Sequence, residues 1–118
     1  MSIAFYNVLH VIGIIMLFLG IGGAIVRSYL AQDSPGLEKL VLINHGVGLL
    51  LILIAGFGQL AKIGMQFSSW VVVKIIIWLF MGSLIMFIKK KPELKSVWWY
   101  GALVMGGLAA YLGIYKPF

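Results

Sequence analysis

"YNVLHVIGIIMLFLG", residues 6–20, decides the fold. It holds one ionisable side chain, His10, and no acidic residue. A helix that is apolar all round belongs in a protein core or in lipid. The stretch is part of a longer apolar run over residues 3–26, and three more follow at 40–61, 70–88 and 97–114. Each has about the 20 residues that a helix needs to cross a hydrocarbon layer about 30 Å thick. Charged residues make up only 10% of the 118-residue chain and hydrophobic ones 63%, so almost nothing remains for a water-soluble domain. The expected class is all-α and integral to the membrane. The expected organisation is a single transmembrane domain, 1–118, with helices over about 3–28, 36–63, 69–90 and 93–115. The first run lacks a basic leading segment and is too long for a signal-peptide core, so it is expected to stay in the protein.

The chain carries a net charge of +6, yet its basic residues sit at the ends of apolar runs rather than along one exposed face. That pattern marks membrane topology and excludes a nucleic-acid reading. Arg27, Lys39, Lys89, Lys90, Lys91 and Lys95 flank two turns on one side, whereas only Lys62 and Lys116 flank the other. The positive-inside rule then places the 28–38 and 89–96 turns in the cytoplasm and both termini outside. Such a bias argues against insertion in both directions. With no cysteine, disulfides, thiolate metal sites and thioether-linked haem are excluded.

The connections are short. In "AQDSPGLEK", 31–39, Ser34 suits a helix cap and Pro35 a first helical position. "KIGMQFSS", 62–69, joins the second and third runs, and "KKKPELKS", 89–96, is a tight turn with Pro92 and Glu93 fit to start a helix. Turns of this length make antiparallel neighbours, so an up-down-up-down four-helix bundle is expected. Trp70, Trp98, Trp99, Tyr100 and Tyr115 fall near the interfaces, as an aromatic belt does.

Fifteen glycines are spread through the runs. His10, Gly13, Leu17, Gly20, Ala24 and Arg27 share one helical face, and His45, Gly48, Ile52, Ala55, Gln59 and Lys62 share another. Ala102, Gly106, Ala110 and Gly113 cluster in the fourth run. Small residues either let helices approach closely in lipid or leave room for a flat ligand.

Polar groups within a span are costly and face protein or water. The candidates are His10, His45, Gln59 and Lys74, with Arg27 able to reach the interface from a helix end. Counted from the cytoplasmic boundary, His10 lies at about 25 Å, Lys74 at about 22 Å and Gln59 at about 30 Å, against about 9 Å for His45. The first three are expected to line an outer polar level, and His45 with Arg27 an inner one. A haem held between facing helices is one use of such histidines. The two imidazoles differ in height by about 16 Å, too far to clamp one haem within a chain. His10 alone, or a haem shared by a homodimer, fits. For either histidine the other reading is an imidazole bonded to a neighbouring carbonyl or hydroxyl. Lys74, four residues from both Trp70 and Trp78, has no carboxylate in any span to pair with. It either reaches the outer surface or meets an anion such as a haem propionate.

At these residues the chain resembles small four-helix bacterial inner-membrane proteins of the HemJ and SirB type. The matching positions are Leu9–His10 early in the first helix, Arg27 at its end and Trp70–Lys74 in a later helix. Asn44–His45–Gly46 matches the histidine that the SirB-like group carries at the start of the second helix. The resemblance spans the first three helices. It implies a bacterial inner membrane and haem b, and for the HemJ branch oxidation of protoporphyrinogen. SirB-like proteins have no settled biochemical role.

The leading functional expectation is an intramembrane polar pocket that binds haem b or a related redox-active ligand. His10 would be the iron ligand, with Gln59, Lys74, His45 and Arg27 as further binding residues. Two other classes stay open: an accessory or assembly subunit of a membrane complex, and a small anion or solute transporter. Cation–proton antiport is disfavoured because Asp33, Glu38 and Glu93 all lie in turns. No serine has a histidine–acid arrangement at a matching depth. The expected partners are the lipid bilayer and a second copy or larger membrane complex.

Overall fold

The computed structural model describes residues 2–30, 34–64 and 67–116. Each apolar run is one helix: α1 is Ile3–Arg27, α2 is Pro35–Ile63, α3 is Ser69–Lys90 and α4 is Lys95–Tyr115. A single 3-10 turn, Pro92–Leu94, leads into α4. Among the described residues there is no strand. All four helical segments are long and apolar enough to cross a membrane.

The chain's own punctuation sets the ends. Ser2 Oγ accepts from the Phe5 amide at 3.2 Å at the start of α1. Ser34 Oγ does the same for Leu37 at the start of α2, where Pro35 loses no hydrogen bond by lacking an N–H. Gly64, at φ 68°, closes α2 in the left-handed conformation that glycine adopts without strain. Asp33, expected in the first turn, lies outside the described residues.

Two units form, Met1–Gln66 and Phe67–Phe118. In the first, α1 and α2 lie against each other along most of their length. Partner positions run in opposite order: Tyr6 with Gly58, His10 with Gly56, Gly13 with Gly48 and Ile52, Gly20 with His45, Gly23 with Val41. The faces that meet are those on which the small residues recur. A Cβ on Gly48 would lie 2.6 Å from the Leu17 amide nitrogen and 2.7 Å from the Gly13 carbonyl oxygen. A Cβ on Gly20 would lie 2.9 Å from the His45 backbone nitrogen. The two backbones therefore touch, and no flat ligand fits between them at Gly13, Gly20 and Gly48. Of the two uses of small residues, close helix approach is the one realised here.

In the second unit α3 and α4 also pair in opposite order. Phe87 stacks on Trp98 with centroids 5.5 Å apart, Gly101 faces the Phe80 ring, and Gly113 faces Lys74. The tight turn is fastened by its own side chains. Trp98 Nε1 donates to the Lys91 carbonyl at 3.0 Å, and Lys95 Nζ donates to the Pro92 carbonyl at 2.9 Å.

Much of the apolar surface points outward, including Val8, Ile15, Leu19, Leu50, Ile54, Ile76, Leu79, Leu103, Val104 and Ile114. In water so much exposed hydrocarbon would drive aggregation; against lipid tails it costs nothing. This surface fits a multi-pass membrane protein.

Candidate functional site

The polar groups of the first unit are arranged along the α1–α2 seam. At its open end Gln59 Nε2 donates to Asn7 Oδ1 across the two helices. One turn further along α1, His10 Nδ1 lies 3.0 Å from the Ile52 carbonyl oxygen. A carbonyl can only accept, so Nδ1 carries the proton and donates. In the neutral ring the lone pair then resides on Nε2. The imidazole lies over Gly56, where a Cβ would come within 3.3 Å of its Cε1. Glycine at 56 thus lets the ring reach the α2 backbone. His10 and Gln59, both expected at an outer polar level, are brought to the same end of this hairpin. Asn7 completes that end. It went unnoticed in the sequence, although it stands three residues before His10 on the same helical face.

His45 sits elsewhere. It is 6% exposed, and its backbone and Cβ press against Gly20. Gly20 comes ten residues after His10 on α1, so the two histidines are about 15 Å apart along the helix axis. One haem cannot be clamped by both imidazoles of this hairpin. Asn44 Nδ2 is turned back to the Leu40 carbonyl of its own helix at 2.9 Å. Arg27 lies at the turn end of α1, where it pairs with Glu38 near the start of α2 at 3.1 Å. An arginine in the last turn of one helix and a glutamate in the first turn of the next each meet the favourable end of a helix dipole.

Lys74 belongs to the second unit. Its Nζ lies where a Gly113 side chain would begin, 2.8 Å from the position of a Cβ. Lys116 Nζ donates to the Gly113 carbonyl at 2.7 Å and lies 5.7 Å from the centre of the Trp70 ring. The sequence pointed to Trp70 and Lys74; Gly113 and Lys116 are added by the fold. Among the described residues no three histidine, cysteine or acidic side chains gather in a way that could hold a metal ion.

The arrangement is chemically sparse. It offers one imidazole in a fixed tautomer, an amide pair beside it, an ion pair at the far end of the first unit, and two amines around one glycine in the second. No family model matches the chain, and neither does any curated protein or solved structure.

Proposed function

We propose that the four helices cross a bacterial inner membrane up-down-up-down with both termini outside, and that the first hairpin holds a haem b through His10. One observation carries the reading: the hydrogen bond from His10 Nδ1 to the Ile52 carbonyl. Iron-ligating histidines commonly give their second ring N–H to a carbonyl or carboxylate, which fixes the tautomer, orients the ring and strengthens Nε2 as a ligand. His10 has that feature, set by the packing of two helices rather than by a flexible loop. The donor set fits a haem bound on one side by this chain. The backbones touch at Gly13, Gly20 and Gly48, so a haem would lie outside the α1–α2 seam, and His45 of the same chain would not be among the residues that hold it. When bound, the group would supply one-electron redox chemistry. His10 would hold it, and the Asn7–Gln59 pair ties together the end of the hairpin that would present it.

The test is an absorption spectrum of the chain purified from cells fed a haem precursor. The expected result is a Soret band in the wild type and in His45→Ala, and none in His10→Ala. Imidazole added to His10→Gly should restore the band, which separates a lost ligand from a lost fold. A colourless wild type sinks the proposal.

A second reading, an accessory subunit that packs against other membrane proteins, is favoured by one specific observation. Outside its spans the chain has little but turns, while α4 presents Trp99, Tyr100, Leu103, Val104, Tyr111 and Ile114 outward. Co-purification of a defined membrane partner with a colourless chain would support it.

A further inference from the structure

The second unit contains a feature that haem at His10 does not use. Two amines of one hairpin converge on Gly113. Lys74 Nζ occupies the space that any side chain at 113 would fill, and Lys116 Nζ is bonded to the carbonyl of the same residue. Lys74 is the sixth residue of α3, and its Nζ lies beside Gly113, near the end of α4. Lys116 sits just past the end of α4, over Trp70. Two ammonium groups placed together repel unless an anion or a neighbouring dipole offsets them. The last carbonyls of α4 supply a partial negative charge, worth much less than a full counterion. Between residues 67 and 116 the only acidic residue is Glu93, which lies in the turn at the opposite end of the hairpin. The same end as the amines also carries the start of α3, whose first amides lack helical partners. Its cap residue, Ser68, makes no side-chain cap bond, and its buried hydroxyl has no hydrogen-bond partner among the described residues. Donors are thus gathered at this end without an acceptor of matching charge.

We infer that Lys74 and Lys116 form a binding site for a phosphate group at the outer membrane interface. Two ammonium groups meet a phosphate with charge-assisted hydrogen bonds, and basic pockets between helices at headgroup depth take anionic lipid headgroups in this way. Gly113 favours the site, because a side chain there would push the Lys74 amine aside. The phosphate can come from an anionic phospholipid or from free phosphate, and the experiment separates the two.

The full chain, purified in detergent, is titrated with phosphatidylglycerol or phosphatidylcholine, and bound lipid is counted by native mass spectrometry. In parallel, binding of inorganic phosphate is followed by the broadening of its phosphorus resonance. The expected result is one retained phosphatidylglycerol, bound roughly thirty-fold more tightly than phosphatidylcholine, as two interfacial lysines would give. Lys74→Met with Lys116→Met should abolish the preference, and Lys62→Met, in the other unit, should leave it intact. Gly113→Ala should weaken it while keeping both charges. Binding of inorganic phosphate that the paired lysine substitutions remove, without lipid preference, would support the site and identify free phosphate as its ligand. Equal retention of both lipids with no phosphate binding overturns the inference. So does a preference that survives loss of both lysines. Circular dichroism and elution volume, which charge removal near a helix end should not change, confirm that each variant folds.

Discussion

A methyl group added at Gly48 would land on the backbone of α1, between the Leu17 amide and the Gly13 carbonyl. Neither can yield without moving a helix. Gly48→Ala should therefore destabilise the hairpin by about 1–3 kcal/mol, the usual cost of overpacking. Gly22 sits on the same α1 helix and meets nothing within 4 Å. Gly22→Ala should be neutral or gain up to about 1 kcal/mol from helix propensity. Reversible unfolding in mixed micelles measures both, and equal effects at the two positions would refute the backbone contact. Gly58 is an intermediate case, because its neighbour is the Tyr6 ring, which can rotate away. Among polar residues the same contrast holds. His10 spends its Nδ1 proton on Ile52 and Gln59 spends an amide proton on Asn7, so each is tied to the opposite helix. Asn44 bonds back to its own helix and ties nothing together.

At the level of the helices, the first hairpin is fastened differently at its two ends. The open end uses the Asn7–Gln59 and His10–Ile52 bonds, and the turn end uses the Arg27–Glu38 ion pair. The ion-pair side chains are 21% and 33% exposed, so water and salt screen them. A double-mutant cycle with Arg27→Gln and Glu38→Gln should give a coupling of about 0.2–1 kcal/mol, shrinking as salt is added. A coupling several times larger, or one indifferent to salt, would show that the pair is dry. Hydrogen bonds inside lipid average well under 2 kcal/mol, so none of these fasteners holds the hairpin alone. The backbones also meet at Gly13, Gly20 and Gly48, a close approach of the kind that drives helix association in lipid. In the second hairpin the described glycines Gly101, Gly107 and Gly113 make no such contact with the backbone of the facing helix. That hairpin relies on the aromatic stack of Phe87 on Trp98 and on the bonds that close its turn.

For the whole molecule, the distribution of lysine and arginine makes a prediction that the absence of cysteine renders easy to check. Six basic residues flank the 28–38 and 89–96 turns, against Lys62 and Lys116 on the other side. A membrane-impermeant maleimide applied to intact cells should label Lys62→Cys. It should reach Tyr29→Cys and Glu93→Cys only after permeabilisation. The opposite pattern would invert the topology, and labelling of all three in intact cells would show that the chain inserts both ways. The haem and phosphate proposals rest on different residues in different units, so either can fail without the other.

The sequence by itself determined the helices and the spacing of residues along them. Apolar runs of spanning length, with Ser34, Pro35 and Pro92 as punctuation, are local signals, and a helix converts residue number into distance along its axis. For that reason the separation of His10 from His45 could be read before any coordinates, and the pairing of Gly20 with His45 agrees with it. The small-residue faces could also be read, because their spacing matches the helical period. What only the tertiary structure decided was what each face meets. A helix in lipid is apolar on every side, so its pattern does not say which way it turns or how near its partner comes. Whether glycine makes room for a helix, as at Gly48, or for a side chain, as at Gly113, is settled by residues dozens of positions away. The partnership of Gln59 with Asn7 and the meeting of Lys74 with Lys116 were hidden for the same reason. Both depend on the pairing of two helices, which no local stretch encodes.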